Sequence, residues 1–192
     1  MAGLPHWNNS QAATNYYEPI FKNQFEVIIT PPSAITDNVE LLVEQVKTIS
    51  GLPELFTKGA TTQGYKFAKR AFADGVPNDT LTTLTIKFEV NLNDENNMYV
   101  YNTLRGWGDL IYDPLNGRQG LKKDYVGEIA VFIFNKAGDI FREFKFKPAF
   151  LAEPLNAMDL DYMATGTTGI YTLDAKFICD TYTETRVGQI NI

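Results

Sequence analysis

The clearest pattern in the chain lies at residues 84 to 92. Leu84, Ile86, Phe88, Val90 and Leu92 are apolar, and Thr85, Lys87, Glu89 and Asn91 between them are polar. Strict alternation predicts a strand with one buried and one wet face. The period then changes. Asn93 and Asp94 are helix-capping residue types, and Met98, Val100, Leu104, Trp107 and Ile111 recur at helical spacing, so a helix is predicted over about 94–112. Alternation returns near the C-terminus. Tyr171, Leu173, Ala175, Phe177 and Cys179 face one way and Thr172, Asp174 and Lys176 the other, predicting a strand over 170–180.

The remaining runs are shorter. Phe25, Val27 and Ile29 predict a first strand over 24–30, ended by Pro31 and Pro32. A second is predicted over 41–49, broken by Gly51, Leu52 and Pro53. A long excursion follows, carrying the apolar Leu55 and Phe56, and a third strand is predicted over 63–70. Turn residues fill 72–80, and a polar loop is predicted over 113–123. Residues 126–134 form a β-rich run with Ile129, Val131 and Ile133 opposite Phe132 and Phe134. Asn135 to Gly138 make its turn, with Gly138 placed for positive φ, and Ile140, Phe144 and Phe146 mark the return strand. Pro148 and Pro154 are expected to bracket an irregular piece. Met158, Leu160 and Tyr162 then alternate with Asp159 and Asp161 as one more strand, before a loop at 165–169. About seven or eight strands and one helix predict a mainly β fold, an antiparallel sandwich or strongly curved barrel with the helix against one side. Residues 1–22 read as an N-terminal arm whose Trp7, Tyr16 and Tyr17 are apolar enough to dock on a neighbouring subunit. Residues 23–181 form the main domain and 182–192 a polar tail.

Composition narrows the function. With 17 basic and 23 acidic residues the net charge is −6, a poor balance for gripping nucleic acid. A single cysteine, Cys179, excludes a disulfide framework and a cysteine-based zinc cage, and is expected to be a small buried hydrophobe. A single histidine, His6, lies in the arm, where neither a triad nor a histidine metal site is expected. Gly166 and Gly169 lack the strand-then-helix context of a phosphate loop. Asp159 and Asp161 share a strand face without the glycine-centred calcium pattern, and are read as solvated. No catalytic, metal or cofactor-binding residues are therefore assigned. No apolar run is long enough for a transmembrane helix, and the N-terminus carries no secretory pattern, so folding in a cytoplasm is expected.

The order of parts is itself informative. A strand opens Asn23, Gln24, Phe25, Glu26, Val27. A second ends Ile49, Ser50, Gly51, Leu52, Pro53. A strong strand with Phe88, Val90 and Asn91 leads into Asp94-Glu95 and a helix bearing Trp107. A hairpin with Lys136 and Gly138 precedes a Pro154 turn, a Leu160-Asp161-Tyr162 strand and a long final strand. In this order and spacing the chain resembles the tail tube proteins of contractile phage tails, the group of the T4-type tube subunit and the related tubes of contractile injection systems and type VI secretion. The resemblance covers about residues 23–181.

It implies a structural protein, not an enzyme. Subunits of that group form hexameric rings with a shared inner β-barrel, and the rings stack into a hollow virion tail tube, assembled in the host cytoplasm. Implied partners are copies of the chain, a sheath protein, a tape-measure protein, and baseplate and tail terminator proteins, with genomic DNA passing unbound through the lumen. The implied inter-ring stacking loop carries Leu52, Pro53, Leu55 and Phe56. The polar side of the helix, with Glu95, Asn102 and Asp109, is the implied sheath contact. A ring of such acidic chains would offer DNA no sticking site if enough of the charge faced inward. The arm and tail exceed the usual length of the group, which raises a baseplate-proximal tube initiator as an alternative, and the 113–123 loop leans that way; an injection-system tube is a further alternative. Outside the group, a β-sandwich binding module would need an exposed aromatic platform, yet most aromatics here alternate into the core.

Overall fold

The computed structural model describes residues 21–35, 39–53, 60–65, 67–73, 81–91, 98–156 and 160–186. Its centre is one antiparallel sheet. The strands are β1 (Phe25–Thr30), β2 (Val46–Ser50), β5 (Thr82–Glu89), β8 (Gly127–Phe134), β9 (Ile140–Leu151), β10 (Thr172–Cys179) and β11 (Tyr182–Arg186). They are ordered β1-β8-β9-β10-β5-β2, with β11 also on β9. Two small hairpins lie off this sheet: β3 (Ala60–Tyr65) with β4 (Ala68–Ala73), and β6 (Tyr112–Asp113) with β7 (Arg118–Gln119). The helices are α1 (Val39–Glu44), α2 (Tyr99–Ile111) and the single turn α3 (Lys122–Tyr125).

The mainly β, antiparallel expectation holds, but the barrel does not close. The strand order ends at β1 and β2, and among the described residues neither outer edge has a strand partner. The sheet turns a corner at β9. Its first part pairs with β8 and β11, and Ala149 to Leu151 pair with β10. Pro148 sits at that corner, so the predicted irregular piece is strand through Leu151. Pro148 lacks an N–H, but its carbonyl still accepts from Asp180 N at 3.2 Å.

The core follows the alternation. Leu84, Ile86 and Phe88 of β5 and Leu173, Ala175, Phe177 and Cys179 of β10 are fully buried, facing Val27, Ile29, Ile129, Val131, Phe144 and Phe146. Helix α2 closes this core with Val100, Leu104 and Trp107. The Trp107 ring lies 5.3 Å from that of Phe177, and its indole N–H donates to Tyr125 O at 2.7 Å. Each such aromatic or aliphatic side chain gives roughly 1.5–3 kcal/mol on burial.

Other expectations need correcting. The stretch 41–49 is not one strand: α1 occupies 39–44 and β2 begins at Val46. A short apolar run does not distinguish helix from strand by its period. The strand predicted over 63–70 straddles the β3–β4 turn. Helix α2 begins at Tyr99 behind Met98, whose φ is 57° and whose side chain makes no cap bond. Asn93 and Asp94 lie outside the described residues. The loop 113–123 contains β7 and the start of α3. Leu160 and Tyr162 are exposed and outside any strand; the edge of β10 away from β5 is met by the last residues of β9 and by Asn156, whose side chain bonds the backbone of Thr172 and Asp174. Residues 182–186 of the expected tail form β11, whose Tyr182 packs on the core.

Burial, with the charge of Asp180 beside it, pushes the Cys179 thiol up to about 12. Iodoacetamide at about pH 8 is expected to label Cys179 only after denaturation. Labelling of the native protein at the rate of a free thiol would show that this part of the core opens.

Candidate assembly surfaces

The wet face of the β2–β5–β10 part of the sheet is set by alternation. Its positions are Thr83, Thr85, Lys87 and Glu89 on β5 and Thr172, Asp174, Lys176 and Ile178 on β10, with Asp180 following. Register then pairs the charges. Lys87 is opposite Asp174, and Nζ lies 3.6 Å from Oδ1. That oxygen is shielded from water and makes no hydrogen bond, so the lysine charge is its compensation. Lys176 Nζ lies 2.5 Å from Glu153. Lys47, in the irregular step of β2, pairs with Glu89, and Lys122 of α3 pairs with Asp180. Thr48 and Ser50 border this face, and Phe150 is covered by Tyr125 and by Lys122.

The β3–β4 hairpin is a second surface. Among the described residues it pairs only with itself, and its side chains from Thr61 to Gln63 and from Phe67 to Phe72 are exposed. Phe67 at its turn is 93% exposed and Phe72 49%. A lone two-stranded hairpin is marginal in water, and its exposed phenylalanines make it a candidate contact surface.

A groove of about 720 Å³ runs beside α2, lined by Leu104, Gly108, Ile111, Leu151, Leu155 and Tyr171 among others. On the rim, Arg105 and Asp109 form an i,i+4 pair at 3.6 Å.

Strand β11 is tied to β9 by charge as well as by its backbone pairing. Arg142 Nε donates to Glu184 Oε1 at 2.6 Å, and Arg186 donates to both carboxylate oxygens at 2.7 and 3.1 Å. The Arg186 hydrogen bond holds the Glu184 carboxyl below its ordinary value of 4.5, against the desolvation of its site, and Arg142 adds to the effect. A lowered acid stabilises the fold fully above its ordinary value, and that contribution is lost as pH falls through the lowered one. Glu184→Gln is expected to weaken the protein at neutral pH and to flatten the acid limb of its stability curve in urea unfolding. Parallel acid limbs for variant and parent would exclude Glu184 as a source of that limb.

Of the residues singled out from sequence, Leu52 and Pro53 are half-buried, with Leu52 against the core edge. Asn102 and Asp109 are exposed on α2. Trp7, Tyr16, Tyr17, Leu55, Phe56 and Glu95 lie outside the described residues, as do His6 and Asp159. Sequence reasoning missed Phe67, because it read residues 63–70 as one strand and so did not see the turn between β3 and β4. It also missed the cross-strand charge pairs, which no local pattern carries. Among the described residues no group of side chains suits a metal ion, and no helix is long and apolar enough to cross a membrane.

No protein-family model matches the chain, and no curated protein sequence does. Solved structures match its fold. A chain in the cryo-EM structure of the anti-feeding prophage tube-terminating cap is 15% identical, with a TM-score of 0.55 over 90% of this chain and 95% of that one. A chain in the sheath–tube complex of an extracellular contractile injection system, in the extended state, is 17% identical, with a TM-score of 0.53 over 93% and 97%. A chain in the anti-feeding prophage baseplate is 10% identical, with a TM-score of 0.51 over 90% and 99%. The fold is therefore that of tube-related proteins of contractile systems.

Proposed function

We propose that this chain is a structural subunit of a contractile tail, the main tube protein, whose sixfold rings stack into a hollow conduit. The observation that supports this most is the fold match over nearly the whole of both chains, to components of a tube cap, a sheath–tube complex and a baseplate. The open sheet edges at β1 and β2 suit it, because ring closure would pair them with copies of the same strands. Residues 23–181 form the tube domain in this reading. The neighbouring rings meet through the excursion after β2, with Leu52, Pro53, Leu55 and Phe56, and through the adjoining β3–β4 hairpin. The arm residues Trp7, Tyr16 and Tyr17 strap adjacent subunits. Glu95, Asn102 and Asp109 face the sheath. Tape-measure protein and then DNA occupy the lumen, and the assembly belongs to a virion tail.

Negative-stain imaging of the purified protein at high concentration tests the proposal. Stacked annuli of sixfold symmetry are expected, and a solitary particle under all conditions would end it. Replacing Phe67 and Phe72 by Asp is expected to abolish stacking while leaving the circular dichroism spectrum unchanged. Normal tubes from that variant would remove the hairpin from the contact.

A second reading has its own support. The match with the highest of the three TM-scores is a tube-terminating cap. A terminal or initiating subunit would give single rings that never stack, so the same images separate the two.

A further inference from the structure

The net charge of −6 invites the idea of an acidic conduit wall. The wet face of β2, β5 and β10 has a different character. Four lysines on or beside it, Lys47, Lys87, Lys122 and Lys176, meet four carboxylates, those of Glu89, Asp174, Asp180 and Glu153. Between them stand the hydroxyls of Thr48, Ser50, Thr83, Thr85 and Thr172. The charges of this face cancel within a few ångströms, well inside the screening length of physiological salt. The acidic excess of the chain therefore lies elsewhere.

We propose that this face is a charge-compensated, non-adhesive surface for a polyanionic chain, in which Glu89, Asp174 and Glu153 each cancel a lysine that would otherwise hold a phosphate. This rests on the tube function proposed above, and it further assigns this face to the conduit wall. Unpaired lysines would release counterions on binding phosphates and grip the polymer. A wall of carboxylates alone would repel it from the mouth. A paired wall does neither, and it also lacks the uncovered aromatics on which bases stack. Exposed pairs of this kind add little to stability, so their value here is neutrality rather than strength.

Labelled single-stranded DNA mixed with the purified full chain is the probe. The parent is expected to show no binding at low salt. Glu89→Gln, Asp174→Asn and Glu153→Gln together should release Lys47, Lys87 and Lys176, tightening binding by at least about tenfold, with a log–log salt slope of roughly −2 to −3. A control with the same change in net charge, Glu26→Gln, Asp124→Asn and Asp139→Asn, should gain nothing. Adding Lys47→Gln, Lys87→Gln and Lys176→Gln to the first triple should abolish the gain. If circular dichroism shows the triple unfolded, Asp174→Asn alone carries the test, with a smaller gain and a slope near about −1. Binding by the parent, or equal binding by face variant and control, overturns the proposal. Because these measurements use dissolved subunits, their failure is distinct from a failure to form tubes.

Discussion

Replacing Trp107 by alanine is expected to lower the unfolding free energy by about 3–5 kcal/mol, the range for truncating a buried aromatic that leaves a cavity. Three contacts converge on this side chain. It is fully buried against Phe177, its N–H is the donor to Tyr125 O, and it lies where Gly127 leaves room. A Cβ at Gly127 would come 2.9 Å from the indole ring and 2.4 Å from Thr30 O, so strand β8 and helix α2 are fitted to each other at this point. The loss of the hydrogen bond leaves a part-buried carbonyl unpaired and adds to the cost. For a chain of this length the melting temperature should fall by roughly 6–20 °C. Urea unfolding followed by circular dichroism measures it. A loss below about 1 kcal/mol would mean that the helix does not seal the core as described.

Gly51→Ala is expected to cost about 3 kcal/mol, from left-handed strain of roughly 1–2 kcal/mol together with overpacking of about 1–3 kcal/mol. Gly51 has φ 89°, and a Cβ there would come 2.1 Å from Thr83 O. That neighbour is backbone and cannot rotate away, so β2 would have to separate from β5. Gly138 supplies the comparison. It has nearly the same φ, 88°, but nothing lies near a Cβ added to it. Gly138→Ala should therefore show the strain alone, about 1 kcal/mol. Equal effects at the two sites in parallel urea titrations would rule out the close approach of Gly51 to Thr83.

Much of the fold was legible where one period ran long enough. The alternation from Leu84 to Phe88 and from Leu173 to Cys179 predicted two core strands and their buried faces correctly. The Asn135–Gly138 turn gave the β8–β9 hairpin, because positive φ at Gly138 is a local requirement. The helical spacing of Val100, Leu104 and Trp107 gave α2. The failures share a cause. Met158, Leu160 and Tyr162 alternate as a strand would, but Leu160 and Tyr162 have no core to face and stay exposed, and alternation has meaning only where one face is buried. Leu42 is fully buried in α1 although its apolar neighbours read equally well as strand.

The candidate surfaces divide in the same way. The exposed side of α2 with Asn102 and Asp109 could be read from helical spacing, since it needs only one helix. The ion pairs of the wet face could not. Lys87 and Asp174 meet because β10 lies against β5 in one register, and Lys176 meets Glu153 because β9 turns its corner onto β10.

By itself the sequence determined the local periods, the turn glycines and hence the antiparallel, mainly β character, because each is a matter of a few neighbouring residues. The tertiary structure alone decided which strands are partners, that the sheet stays open at β1 and β2, and which charges cancel. Those outcomes depend on contacts between residues far apart in the chain, where burial of the shared core, not local propensity, selects the arrangement.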